Sequence, residues 1–154
     1  MGRGWIAAAA VLAVQTSYGQ DALFTWEDLP ELPVAISGHF AGSYEETLFV
    51  AGGASFPISP FDGGTKQWHN TTYYLSPGAQ TWKQGPSLPH PSAYGASIQL
   101  PNGGLVCVGG SDGTRHYDDW YEIWTSPEGL SVKPNWEADG YAPLPQPCAM
   151  TGGA

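Results

Sequence analysis

The hydrophobic positions of this chain fall in short runs that glycine, proline, asparagine and aspartate interrupt. The runs are rich in β-branched and aromatic residues, and no stretch places its apolar residues at the spacing of a helix face. Two of the runs end on adjacent glycines, LFVAGG at 48–53 and LVCVGG at 105–110. The pattern predicts an all-β chain whose strands end in tight turns.

A repeat organises these runs along the sequence. Pro33, Pro89 and Pro145 each follow a leucine, and they recur at intervals of 56 residues. Between successive Leu-Pro pairs the order of features is constant: a strand of small residues, a strand ending in Gly-Gly, a Gly-Thr loop and an aromatic strand. A unit of about 50 residues with four strands is typical of the blades of a kelch-type β-propeller. The sequence therefore predicts an incomplete propeller with two full blades.

A tryptophan precedes each Leu-Pro pair, at positions 26, 82 and 136. These side chains could form a sugar-stacking platform or pack within the blades. Their recurrence in every unit favours packing, because a large aromatic side chain contributes much buried area.

The N-terminus has the features of a secretory signal peptide. One basic residue, Arg3, precedes the apolar run 6–14, and small residues follow at 17–19. We divide the chain into a signal peptide, residues 1–19, and a partial propeller, residues 20–154. This predicts a periplasmic or secreted protein without a membrane span. Cys107 and Cys148 could pair there, but Cys107 lies in an apolar strand, which favours a buried free thiol.

Charge narrows the classes of partner. The 154-residue chain carries a net charge of −9, and its few basic residues are scattered. Because nucleic-acid binding depends on neutralising phosphates with clustered cations, we expect no nucleic-acid partner. An anionic ligand would need a local cationic site on this acidic chain.

Loops after the second strand of each unit are predicted to open on one face of the propeller, together with the loops between units. A ligand on that face would meet several blades at once. The loop of the first unit is longer than that of the second, and its extra Pro-rich residues could form a lid or pocket wall. The candidate ligand-binding residues on this face are Ser55, Phe56, Trp68, His69, Arg115 and His116, beside Ser111 and Asp112.

Arg115 is the first candidate for binding a carboxylate, because a guanidinium donates two parallel hydrogen bonds. The alternative is a solvated or loop-bracing arginine, which could pair with Asp118 or Asp119. His69 could act as an acid or base, or be a partly exposed histidine without a chemical role. The adjacent Asp118 and Asp119 are better explained by turn formation than by a metal site, and we expect no metal.

Several motifs of this chain resemble a known family. GGASFP at 52–57, GGTKQWHN at 63–70, AYGASI at 93–98 and VCVGG at 106–110 are similar to motifs of the kelch-repeat N-acetylneuraminate mutarotases, or epimerases, of the cyclically permuted bacterial branch. The resemblance implies interconversion of the α and β anomers of N-acetylneuraminate, a sugar acid, by acid/base ring opening and reclosure. It implies no cofactor.

The chain also departs from the family that it resembles. In the family, the acid/base pair is a glutamate shortly after one strand-two glycine and an arginine a few residues later, whereas Ala54 and Ser111 follow the Gly-Gly pairs here. We therefore assign no catalytic residue and expect that pair beyond Ala154. Residues Phe24 to Pro33 match an outer strand that lacks its own blade, and residues up to Ala154 begin a third. This predicts an N-terminal fragment, inactive alone, of a six-bladed chain of about 340 residues.

A kelch propeller can also be a non-catalytic module that binds a glycan or a protein through the same loops. Propellers support many functions, so the fold alone does not choose between the two hypotheses.

Overall fold

The computed structural model describes residues 26–126, 129–134 and 142–150. It contains two four-stranded antiparallel sheets, which we call the first and second sheets. The first sheet has the order β1 (Phe40–Tyr44), β2 (Thr47–Ala51), β5 (Thr72–Leu75), β6 (Lys83–Gln84). The second has the order β7 (Ala96–Gln99), β8 (Leu105–Val108), β9 (Trp120–Ser126), β10 (Gly129–Pro134). A small hairpin pairs β3 (Ala54–Ser55) with β4 (Gln67–Trp68).

The predicted all-β class is confirmed, and each predicted unit forms one sheet in which strands pair in chain order. Alternating apolar side chains explain why the two sheets pack against each other face to face. Phe49 and Ala51 lie two residues apart on β2, as do Leu105 and Cys107 on β8, so each pair faces one side of its strand. Together they form a buried core between the sheets with Phe40, Leu88, Tyr121 and Ile123.

The double glycines lie where the connections between strands cross at close range. Gly52 has a φ of 66° and Gly109 has the same value, in the left-handed region that favours glycine. A Cβ on Gly52 would lie 2.2 Å from the carbonyl oxygen of Ser92, and one on Gly109 would lie 2.5 Å from that of Cys148. A side chain at either position would therefore collide with the backbone of the following inter-unit segment.

Backbone hydrogen bonds repeat at the same interval as the sequence. The N–H of Tyr94 donates to the carbonyl of Gly38 at 2.7 Å, and the N–H of Met150 donates to the carbonyl of Tyr94 at 2.6 Å. All three residues have positive φ, at 62°, 65° and 59° in chain order. Since residues 38, 94 and 150 are separated by one repeat length each, the structure carries the repeat through its backbone as well as its sequence.

The segment before the first sheet differs from the prediction. Residues 26–36 form no strand, so the expected outer strand at 24–33 is wrong over the part that the structure describes. Pro30 and Pro33 have no N–H to donate to a ladder, which explains the difference. Trp26 is 91% exposed, against its predicted role in packing. Trp82 is half-buried and donates from Nε1 to the carbonyl of Pro30 at 2.7 Å, whereas Trp136 lies outside the described residues.

The two cysteines are free. Cys107 is fully buried in β8, and this burial raises the pKa of its thiol well above the usual value. The expectation of a small buried hydrophobe at this position is confirmed, and no disulfide joins it to Cys148.

The other face of the second sheet carries an open apolar groove of about 280 Å³. Its lining consists of the side chains of Ile98, Leu100, Val106, Val108, Trp120, Ala142 and Leu144. Of the parts of the chain described here, no helix has the length and apolar character needed to cross a membrane. The predicted signal peptide, residues 1–19, lies outside the described residues.

Candidate functional site

The site lies where two connections meet at one end of the first sheet. Residues 52–71, which we call the first loop, join β2 to β5, and residues 85–95, the linking segment, join β6 to β7. The N–H of Ser92 donates to the carbonyl of His69 at 3.1 Å, which holds the two backbones together. The loop after the second strand and the loop between units therefore share one face, as the sequence predicted.

The first loop folds back on itself through the hairpin of β3 and β4. Ala54 pairs with Trp68 and Ser55 pairs with Gln67. A 3₁₀ turn at Pro60–Asp62 occupies the middle of the loop, and the hydroxyl of Ser59 accepts a hydrogen bond from the N–H of Phe61 at 3.2 Å. The hairpin fixes the direction of Trp68, and the turn brings the chain back to Lys66.

Lys66 is the centre of an aromatic cluster that the sequence analysis did not identify. Its Nζ lies 5.4 Å from the ring centroid of Phe56, 5.2 Å from that of Trp68 and 4.8 Å from that of Tyr94. Nζ also donates a hydrogen bond to the Tyr94 hydroxyl at 2.9 Å. This hydrogen bond lowers the pKa of Tyr94 from its usual value, since it favours the phenolate. We call Phe56, Lys66, Trp68 and Tyr94 the lysine cluster.

The ring of Tyr94 is fixed from several sides. It meets the ring of Trp68 edge to face, with centroids 5.8 Å apart. The ring also lies directly over Gly38, where a Cβ would be 2.4 Å away. A non-glycine residue with positive φ is strained, so these contacts must hold Tyr94 in place.

Ser55 and His69 form a side-chain pair next to the lysine cluster. The Ser55 Oγ lies 2.8 Å from the His69 Nε2, and both residues are half-buried. Sequence reasoning found no nucleophile beside a base because the partners are far apart in the chain and meet only through the hairpin. The described residues place no carboxylate in hydrogen-bonding contact with His69, so the pair lacks the orienting group of a catalytic triad.

Arg115 lies in the second loop, residues 109–119 between β8 and β9, in different surroundings. Its guanidinium stacks over the ring of Tyr117, with Cζ 4.6 Å from the ring centroid, and it is exposed. Among the described residues Arg115 forms no ion pair with Asp118 or Asp119, and Asp119 instead pairs with His90 at 2.8 Å; the exposed, stacked Arg115 fits a solvated, loop-bracing arginine without that pairing. Arg115 therefore braces its own loop through the Tyr117 side chain while it stays exposed to solvent.

Asp112 organises the second loop. Its Oδ1 accepts hydrogen bonds from the Thr114 hydroxyl at 2.6 Å, the Thr114 N–H at 2.8 Å and the Arg115 N–H at 3.0 Å, while Oδ2 accepts one from the Tyr117 hydroxyl at 2.7 Å. These donors, that of the Thr114 side chain first, hold the pKa of the Asp112 carboxyl well below its usual range. The carboxylate is thus a structural acceptor.

His90 lies in the linking segment and contacts the second loop. Its ring stacks on that of Tyr117, with centroids 3.7 Å apart and planes 15° apart. Burial lowers the pKa of His90, but the hydrogen bond and the charge of Asp119 outweigh it, so the pKa is raised from its usual value. His90 had no assigned role in the sequence because its partner Asp119 lies on another loop.

The two loops touch through Trp68. A Cβ added to Gly113 would lie 2.5 Å from the Trp68 Nε1, so the indole packs against the tip of the second loop. The structure therefore brings Ser55, Phe56, Trp68 and His69 together around one end of the site and leaves Arg115 and His116 on the neighbouring loop. His116 is exposed, and its backbone bridges to Ser111. No cluster of three potential metal-ligating side chains occurs among the residues that the structure describes.

The amino-acid sequence of this chain is similar to those of several known proteins. An N-acetylneuraminate epimerase of Yersinia pestis is 32% identical over 116 residues, which are 64% of this chain and 29% of that protein. The Brucella suis protein of the same name is 31% identical over 111 residues, 60% of this chain and 28% of its own. One from Haemophilus influenzae is 33% identical over 107 residues, with 58% and 28% covered.

The predicted resemblance is confirmed. The chain matches no protein-family model. A solved structure of the protein YjhT superposes with a TM-score of 0.62 at 24% identity, covering 71% of this chain and 34% of YjhT. At that identity the likeness shows the fold alone, which is all-β and propeller-like. The chain spans less than a third of the length of the N-acetylneuraminate epimerases that it matches.

Proposed function

We propose that the complete protein carrying these two sheets is an N-acetylneuraminate mutarotase, which interconverts the α and β anomers of this sugar acid. The observation that carries the proposal is the identity of 32% over 116 residues with a protein named N-acetylneuraminate epimerase. The polar and aromatic face formed by the first loop and the linking segment supports it. We propose the periplasm as its location and a kelch propeller of six blades as its complete fold.

The reaction needs two proton transfers and no net change in composition. A base removes the proton from the anomeric hydroxyl while an acid donates a proton to the ring oxygen, so the bond from the anomeric carbon to the ring oxygen breaks and a keto form results. Rotation about the adjacent bond and reversal of both transfers close the ring on the other face. We propose that residues outside this chain supply the acid/base pair, since Ala54 and Ser111 stand where the family has its glutamate.

The test is the rate at which one pure anomer relaxes to equilibrium. N-acetylneuraminate released as a single anomer is followed by proton NMR with the full-length protein, with residues 20–154 alone, and with buffer. We expect the full-length protein to accelerate relaxation at least about tenfold. This threshold is cautious, because one positioned acid or base typically contributes about 10²-fold or more. Residues 20–154 should match buffer. A full-length protein that matches buffer would refute the proposed activity.

The absence of the family's glutamate after both Gly-Gly pairs favours a second candidate, a non-catalytic propeller that binds a glycan or a protein through the same face. Such a protein would bind the sugar acid, or a partner, without changing the rate of anomer relaxation. The same NMR samples separate the two, because ligand line broadening reports binding while anomer ratios report turnover.

A further inference from the structure

The basic residues of the described chain differ in their surroundings. Lys83, Arg115 and Lys133 are exposed, whereas Lys66 is half-buried. An ammonium group that loses part of its hydration is costly unless other groups compensate it. The groups around Lys66 must therefore offset the hydration that its ammonium has lost.

Aromatic rings and one hydroxyl surround Lys66, and no carboxylate does. The ion pair found in the described residues joins His90 to Asp119, and no acidic side chain there lies within ion-pair distance of Lys66. Ring faces attract a cation without neutralising its charge. In a chain with a net charge of −9, a half-buried lysine without a carboxylate at ion-pair distance is a local cationic site on an acidic protein.

The lysine cluster is positioned before any ligand arrives. Trp68 is held by the β3–β4 ladder and by its contact with Gly113, and Tyr94 is held over Gly38. An ammonium group has three N–H donors, and the Tyr94 hydroxyl uses one of them. The remaining donors are available to an anion that approaches between the rings.

The neighbours of the cluster suit a sugar that carries the anion. Phe56, 43% exposed, offers an apolar face against which a sugar ring can pack. Ser55, adjacent to it in sequence, and His69 offer polar groups for hydroxyls or an amide. Arg115, by contrast, stacks on the aromatic ring of its own loop.

We propose that Lys66, held within the lysine cluster, binds the carboxylate of the sugar acid, with Phe56 packing against the sugar ring. This assignment rests on the proposed function for the identity of the sugar. It replaces Arg115 as the first candidate for the carboxylate.

The test compares the sugar acid with its methyl ester, which has the same ring but no negative charge. Dissociation constants for N-acetylneuraminate and its methyl ester are measured by ligand-observed NMR with the full-length protein. We expect the wild type to prefer the acid at least about tenfold, since hydrogen bonds to charged groups are the stronger ones. Equal affinity for the two would overturn the proposal without the need for any variant.

Variants then assign the preference to one residue. Lys66→Met, of similar length and uncharged, should weaken binding of the acid at least about tenfold and leave the affinity for the ester unchanged. Lys66→Arg should restore part of the preference, and Lys83→Met, at an exposed lysine of β6, should behave as the wild type. Equal weakening of acid and ester by Lys66→Met would indicate a structural role and contradict the assignment, as would an unchanged preference.

Anomer relaxation on the same samples separates this inference from the proposed function. If Lys66 controls the preference for the acid while the wild type leaves relaxation unchanged, the inference stands and the mutarotase proposal fails. If the wild type accelerates relaxation and Lys66→Met retains the same KM, the function stands and the inference fails. Failure of the wild type to bind the acid would count against both.

Discussion

Lys66 and Arg115 each follow the Gly-Thr pair in the loop of their unit, so they occupy matching positions, yet their surroundings differ. The first loop contains the hairpin of β3 and β4, which turns Phe56 and Trp68 toward Lys66. The shorter second loop leaves Arg115 over the neighbouring Tyr117. The basic residue at this repeat position is therefore surrounded by aromatic rings in the first unit, whereas in the second unit it is exposed and stacks on one ring.

The pair of His90 and Asp119 makes stability depend on pH. The pKa of His90 is raised in the folded protein, so its contribution is fully present below the unfolded value of about 6.5 and is lost as the pH rises through the folded value. Asp119→Asn should lower the pKa of His90 and cost about 1 kcal/mol of stability at pH 5.5 but less at pH 8.

The measurement for this prediction is an NMR titration of the His90 ring protons, with thermal unfolding of the full-length protein at both pH values. His116→Gln, at an exposed histidine of the second loop, is the control and should leave both profiles unchanged. A His90 titration that is identical in wild type and Asp119→Asn would show that the carboxylate does not set this pKa.

Candidate residues were predictable from sequence where the repeat itself placed them. Ser55, Phe56, Trp68 and His69 come together because they follow one Gly-Gly pair and return through one loop. Tyr94 was not identified, because its role depends on a left-handed backbone that glycine adopts at Gly38 but that a tyrosine rarely adopts. A single sequence does not reveal such a conformation.

At the scale of elements, strands with alternating apolar residues were predicted best. β2 and β8 are each followed by Gly-Gly and send alternate side chains into one core, so their pattern identifies them. β3 and β4 are two residues long each and have no periodic signal, so the hairpin that shapes the site was not predicted. The expected outer strand at 24–33 does not form over residues 26–33, where two prolines lack the N–H that a ladder needs.

The contact between Gly52 and the linking segment tests how tightly the elements cross. Gly52→Ala should destabilise by at least about 3 kcal/mol, because the new Cβ would lie 2.2 Å from the carbonyl oxygen of Ser92 in addition to its strained φ. Gly78→Ala is the matched control. Its φ is 70°, but nothing lies within 4 Å of the new Cβ, so it should cost only about 1 kcal/mol.

Chemical unfolding of the full-length variants, read by tryptophan fluorescence, measures both costs. Equal losses at the two positions would show that the backbone conformation alone makes glycine necessary at Gly52. In that case the linking segment must be able to move away from the first loop.

At the scale of the whole molecule, the groove on the second sheet predicts self-association of residues 20–154 when they are expressed alone. Its lining is apolar, and Ile98 at its edge is 38% exposed. The isolated segment should elute from a sizing column above its monomer mass. Ile98→Glu should reduce that association severalfold, because a carboxylate at the groove must be desolvated when a second molecule covers it.

Ile58→Glu is the control for this prediction, since Ile58 is 61% exposed in the first loop, away from the groove. It should not change the elution. A monodisperse monomer of the unmodified segment with a cooperative melt would contradict the prediction, and so would equal effects of the two glutamates.

Residues 38, 94 and 150 share a positive φ of similar size although their side chains have nothing in common. Main-chain hydrogen bonds join residue 94 to residue 38 and residue 150 to residue 94, and they do not depend on the side chain, provided that the residue tolerates the strain. Each repeat therefore carries a different group at the same backbone position: no side chain at Gly38, a phenol at Tyr94 and a thioether at Met150. At Gly38 a side chain is excluded, because a Cβ there would lie 2.4 Å from the ring of Tyr94, whereas Met150 is 82% exposed, so position 150 is where a protein engineer could exchange the group and keep the scaffold.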